Sequence, residues 1–149
     1  MSIPTKTKLF LVDDDALFLK SMEIEFKQIS SPLTNEFIIE TYPTGELCIE
    51  HLTNKPDIII LDYHLDGITK NSMNGMETLD KVRLFNINIP VIILSSQDKI
   101  DVAVNCMHHK AYDYVVKSET AFIRLQKNII DILNYKKLQS QLSWYMDRM

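Results

Sequence analysis

Short, almost wholly apolar runs alternate with amphipathic helical patterns in this chain. That alternation constrains the fold more than any other feature. The first run is Leu9-Phe10-Leu11-Val12, and the second spans 36–42 with Phe37-Ile38-Ile39 at its centre. Ile58-Ile59-Ile60-Leu61, Val91-Ile92-Ile93-Leu94 and residues 112–116 follow. Runs this short, apolar at consecutive positions, predict strands covered on both faces. Between them, Phe18, Met22, Phe26 and Ile29 recur at spacings of four, four and three, one face of a helix. Residues 44–52 predict a short helix, stopped by Asn54 and Pro56. Met76, Leu79 and Val82 line a helix over 75–85, and Ile100, Ala103, Val104 and Met107 line the next. Residues 119–149 contain no Gly or Pro and predict one long final helix. Five strand–helix pairs predict a layered α/β domain on a parallel sheet.

The chemistry sits at the ends of the strands. Asp13 and Asp14 follow the first run, Asp62 the third, Ser95 the fourth and Lys117 the fifth. In an open parallel sheet the carboxyl ends of the strands form the ligand crevice, so these distant residues should converge. One aspartate alone has the ordinary reading of a turn or cap residue, and Asp15 is read as a helix cap. Three carboxylates brought together repel and raise one another's pKa, which a divalent cation relieves. Oxygen ligands supplemented by water favour Mg²⁺. A metal, a lysine and a hydroxyl around one carboxylate suit a phosphoryl group, which that carboxylate can attack to form an acyl phosphate. No Gly-rich phosphate loop is present.

Composition narrows the class. At 149 residues the chain fits one domain, and 46% hydrophobic with 24% charged residues is globular rather than disordered. A net charge of −4 argues against a chain-wide nucleic-acid surface. Two cysteines, Cys48 and Cys106, support neither a disulfide framework nor a zinc site and read as reduced thiols. The amino-terminal stretch has too few apolar residues before Asp13 for a signal peptide or a membrane span, so a cytoplasmic location is expected.

The motifs LVDDD at 11–15, PDIIILD at 56–62, PVIILSS at 90–96 and DYVVK at 113–117 resemble the receiver domain of two-component response regulators. The interval of 22 residues from Ser95 to Lys117 also matches. The resemblance covers residues 6–133. It implies a flavodoxin-like (βα)5 three-layer sandwich with strand order 2-1-3-4-5. It implies Asp62 as phosphoryl acceptor, Asp14 as a direct Mg²⁺ ligand, Asp13 as a ligand through water, and the His64 backbone carbonyl as a further ligand. Ser95 would bond the phosphoryl group and Lys117 would pair with it. Tyr114 would be the aromatic that swings inward on activation. His64 and Gln97 occupy positions that influence acyl-phosphate hydrolysis. The implied partner is a sensor histidine kinase or a histidine phosphotransfer protein, and the implied role is a signalling module rather than an enzyme.

The chain departs from the family pattern in places. Asp66 stands where the family often has Pro, and the 66–74 loop is longer than usual. Ser118 replaces the usual Pro after Lys117, leaving that bond trans or strained, and is a candidate cap for the final helix. Lys110-Ala111 stands where Gly-Ala is frequent. His51, His108 and His109 read as solvated. Two other readings use the same residues. A phosphohydrolase of the haloacid-dehalogenase class needs DxDx[TV] after its first strand, and Asp13-Asp14-Asp15-Ala16-Leu17 lacks the final Thr or Val. A receiver-like binding module that is never phosphorylated is the other.

Residues 1–133 are expected to form the receiver and 134–149 a helical extension. Too few residues follow 133 for a DNA-binding helix-turn-helix, so direct DNA binding is not expected. Phe122, Leu125, Ile129 and Ile132 should pack on the sheet. Tyr135, Leu138, Leu142, Tyr145 and Met149 repeat at three, four, three and four, a heptad seam for a homodimer contact or a linker.

Overall fold

The computed structural model describes residues 6–29, 36–65 and 72–149. The elements run β1 (Lys6–Val12), α1 (Ala16–Lys27), β2 (Glu36–Tyr42), α2 (Gly45–Glu50), a 3₁₀ turn (Leu52–Asn54), β3 (Ile58–Asp62), α3 (Gly75–Phe85), β4 (Val91–Ser95), α4 (Ile100–His108), β5 (Asp113–Val116) and α5 (Ala121–Asp147). The five strands form one parallel sheet in the order β2-β1-β3-β4-β5.

The apolar runs are continuous because the sheet is covered on both sides. Successive strand residues point to opposite faces. Leu9, Leu11, Ile58, Ile60, Ile92 and Leu94 pack under α1 and α5, against Met22, Phe26, Leu125 and Ile129. Phe10, Val12, Ile59, Leu61, Val91 and Ile93 pack on the other side with Cys48 of α2, Leu79 and Val82 of α3 and Cys106 of α4. No helix among the described residues is long and apolar enough to cross a membrane.

Register decides where the chemistry emerges. Val12 pairs with Leu61, Asp62 with Leu94 and Ser95 with Val116. Asp13, Asp62, Ser95 and Lys117 therefore leave the sheet at one edge, its carboxyl end.

Several boundaries differ from expectation. The short second helix ends at Glu50, and the chain continues as a 3₁₀ turn to Lys55, whose φ of 60° stops it. The fifth strand starts at Asp113 rather than 112. The final helix runs 121–147 rather than 119–149. Its N-cap is Thr120 and not Ser118: the Ser118 carbonyl accepts a turn bond from Ala121 N–H, and the two hydroxyls of Ser118 and Thr120 lie 3.2 Å apart. The Lys117–Ser118 bond is trans. Asp66 and most of the 66–74 loop lie outside the described residues.

Lys110 has a φ of 71°. It follows the α4 C-cap, His109, and the N–H groups of Lys110 and Ala111 bond the carbonyls of Met107 and Cys106. This is a Schellman turn, whose left-handed position glycine fills most readily. A lysine here carries the strain that the Gly-Ala of the resemblance avoids.

Candidate functional site

The loop after β1 is held by its own aspartates. Asp15 caps α1, its Oδ1 accepting from Leu17 N–H at 3.1 Å and Phe18 N–H at 3.2 Å, as its position predicted. Asp13 Oδ1 accepts from Asp15 N–H at 2.9 Å, which fixes the buried Asp13 carboxylate. Its other oxygen accepts from Lys117 Nζ at 2.9 Å. The same ammonium lies 3.4 Å from Asp62 Oδ1, so one cation bridges two buried carboxylates. Lys117 Nζ also stands 4.5 Å from the centroid of the Phe18 ring, whose π face favours a cation. Phe18 belongs to the predicted helix stripe, but no sequence signal marked it as a neighbour of Lys117.

Burial pushes the Asp62 carboxyl up to about 7. The Asp13 charge adds to this, while Lys117 and the His64 N–H, 3.4 Å from Asp62 Oδ1, oppose it. Burial works to lower the Lys117 pKa, but the bond to Asp13 and the charge of Asp62 outweigh it and the value is raised. Asp14 is half-buried, and oxygens of Asp13, Asp14 and Asp62 lie within 4.8 Å of one another. Three hard oxygen donors, two of them buried, with one carboxyl raised by burial and a like charge, are a donor set that a small divalent cation fits.

Ser95 and Tyr114 complete the crevice. Ser95 is fully buried, and its Oγ accepts from Gln97 N–H at 3.0 Å. The Tyr114 hydroxyl donates to the Gln97 carbonyl at 2.7 Å. Tyr114 is only 8% exposed and packs in the core beneath α4. Burial raises the Tyr114 pKa, and a hydrogen bond with Ser95 partly offsets this.

Gly75 is a site residue that the sequence did not reveal as one. A Cβ there would stand 2.5 Å from the Asp62 carbonyl oxygen and 2.7 Å from Tyr63 Cα. The Gly75 N–H bonds the Tyr63 carbonyl at 3.1 Å, so α3 begins directly against the acceptor strand. Asn74 and Glu77 form a capping box there, and Glu46 of α2 accepts from Met73 N–H at 2.7 Å.

The histidines depart in part from the solvated reading. His51 stacks on Tyr42 with centroids 4.9 Å apart, and its Nδ1 donates to the Leu47 carbonyl. His109 Nδ1 lies 2.6 Å from Asp80 Oδ1, tying α4 to α3. His108 is exposed.

Comparison with known proteins adds an independent line. A family model described as the response regulator receiver domain matches residues 9–129. The chain is 31% identical over 120 residues to a protein-glutamate methylesterase/protein-glutamine glutaminase of Clostridium acetobutylicum, covering 78% of this chain and 32% of that protein. It is 33% identical over 79 residues to the transcriptional regulatory protein ZraR of Klebsiella oxytoca, covering 53% of this chain and 18% of the relative. The chain thus spans a third or less of the length of these curated relatives. It superposes on the signal receiver domain of a putative LuxO repressor protein from Vibrio parahaemolyticus with a TM-score of 0.70 and 25% identity, covering 93% of this chain and 98% of that one. A chain of the CheX-CheY-BeF3-Mg+2 complex from Borrelia burgdorferi shares the fold, with a TM-score of 0.68, 22% identity and coverage of 85% and 88%.

Proposed function

This chain belongs to the response regulator receiver domain family, and from that premise we propose that it is a phosphorylation-switched signalling module with Asp62 as its acceptor. The donor is the phosphohistidine of a sensor histidine kinase or of a histidine phosphotransfer protein. An Asp62 oxygen attacks phosphorus, the phosphorus–nitrogen bond breaks, and the imidazole leaves. The observation that carries this reading is the Lys117 ammonium set between Asp13 and Asp62, at 2.9 and 3.4 Å, beside a carboxylate cluster at the sheet's carboxyl edge.

Each residue then has a role. Asp13, Asp14 and Asp62, with the His64 backbone carbonyl, would hold Mg²⁺. When bound, the ion offsets charge on the phosphoryl oxygens. Lys117 releases Asp62 and pairs with a phosphoryl oxygen. Ser95 Oγ turns its hydroxyl proton toward another. Tyr114 and Ser95 share Gln97 as a partner, so a shift at Ser95 reaches the segment between β4 and α4. The output is a changed binding surface rather than a released product, and the chain's own catalysis is confined to its phosphorylation and dephosphorylation. Residues 1–133 form the module and 134–149 its extension. Two buried free thiols, Cys48 and Cys106, fit a cytoplasmic location.

Incubation of the full chain with Mg²⁺ and acetyl phosphate tests the assignment by intact mass. The expected result is one added phosphoryl group on the wild type and none on Asp62→Asn. Equal labelling of both proteins overturns it.

A further inference from the structure

Past Ile132, α5 leaves the body of the domain. From 134 to 149 its residues are exposed, apart from the partly covered Lys136. Tyr135, Leu138, Leu142 and Tyr145 are each 61–64% exposed and lie on one seam, which Met149 extends. Next to that seam is a groove of about 1470 Å³. It opens beneath the amino ends of β3, β4 and β5, lined there by Asp57, Pro90 and Tyr112. Its outer wall carries Phe85 and Ile87, 53% and 69% exposed, and Tyr135 belongs to both groove and seam.

We propose that this surface binds a second copy of the chain, with the two α5 extensions antiparallel and the tip of each seated at the other's groove. The seam accommodates that arrangement, and only this orientation brings the tip of one helix to the other copy's groove. With Ser140 at the centre, Leu138 meets Leu142 of the second copy and Tyr135 meets its Tyr145, so two leucine layers lie between two tyrosine layers. First and fourth heptad positions then interleave across the seam, a packing that knobs-into-holes geometry allows. The same register carries Met149 past Tyr135 to the groove mouth.

Charge points the same way. Arg148 flanks the seam, and a parallel pair would hold both copies of it at the same end, away from Asp131. The antiparallel pair sets Arg148 next to Asp131 of the second copy, on the groove wall. The residues flanking the seam at its centre, Gln139 and Gln141, are uncharged and repel nothing. Area is sufficient as well. Tyr135, Leu138, Leu142, Tyr145, Met146 and Met149 are all more than 60% exposed. At roughly 100 Å² each they supply about 600 Å² per copy, and the groove wall brings the total toward the ~800 Å² per partner of a stable interface.

Sedimentation of the full chain over a concentration series tests this. The wild type should dimerise by the high micromolar range. Leu138→Lys with Leu142→Lys should weaken the dimer about tenfold or more, and Ile87→Lys about threefold, each with an unchanged melting profile. Spin labels give the geometry. A pair at Asp147 should be separated along the helix axis by about 21 Å more than a pair at Ser140. A monomeric wild type overturns the proposal, as does a dimer indifferent to the seam variants or equal separations at the two label positions.

Discussion

Gly75 stands against the backbone of Asp62 so closely that a Cβ at residue 75 would lie 2.5 Å from the Asp62 carbonyl oxygen. The obstacle is main chain, which cannot rotate aside as a side chain does. At Gly45, by contrast, a Cβ would meet the Thr78 hydroxyl, the end of a side chain. Gly75→Ala should therefore cost about 1–3 kcal/mol. That corresponds to a fall in Tm of about 2–4 °C per kcal/mol for a domain of this size. Because the strand end must shift, labelling of Asp62 by acetyl phosphate should slow as well. An unchanged melt together with an unchanged labelling rate contradicts the contact.

Asp62 makes stability depend on pH in a definite direction. Its folded-state pKa of about 7 lies above its ordinary 3.8. The folded chain thus holds this proton more tightly than the unfolded chain does. The group favours folding at about pH 4 and below, and the advantage is lost as pH rises to about 7. Asp62→Asn should be more stable than the wild type at pH 8 without divalent cations, by about 1–3 kcal/mol, and differ little from it at pH 4. Added Mg²⁺ should narrow the gap at pH 8 by stabilising the wild type. Thermal melts at the two pH values check this, and a variant less stable than the wild type at pH 8 is the contrary result.

Lys110 offers a stabilising change away from the site. Its φ of 71° is left-handed, while its carbonyl accepts from Arg83 Nε at 3.0 Å and its N–H from the Schellman turn is engaged. Lys110→Gly keeps these backbone bonds and removes the Cβ strain, which exceeds the extra entropy of glycine in the unfolded chain. A gain of about 0.5–1 kcal/mol in urea unfolding is expected. A loss of stability would show that the lysine side chain contributes more than its backbone strain.

The strands, and the polar residues that end them, were legible because both are written in contiguous residues. Ile58–Leu61 and Val91–Leu94 are apolar at every position since each face of the sheet is covered, and Asp62 and Ser95 follow as the first polar residues. What was not legible is set by contacts between distant segments. The Gly75 approach to Asp62, the Phe18 ring against Lys117 and the His109–Asp80 pair have no periodicity to betray them. Helix ends were displaced for a similar reason. Ser118 has the right side chain for a cap, but the turn from its carbonyl to Ala121 starts the helix later. The burial of Tyr114 likewise depends on room beneath α4 and on the Gln97 carbonyl, which no local pattern shows.

The central claim is that Asp62 is the phosphoryl acceptor. It is tested most directly by reducing the phosphorylated full chain with borohydride, which converts an aspartyl phosphate to homoserine, and locating the change by peptide mass. The account predicts homoserine at position 62 and at no other aspartate, dependent on Mg²⁺. Homoserine at Asp13 or Asp14, or unmodified Asp62 in a chain that has gained a phosphoryl group, would contradict it.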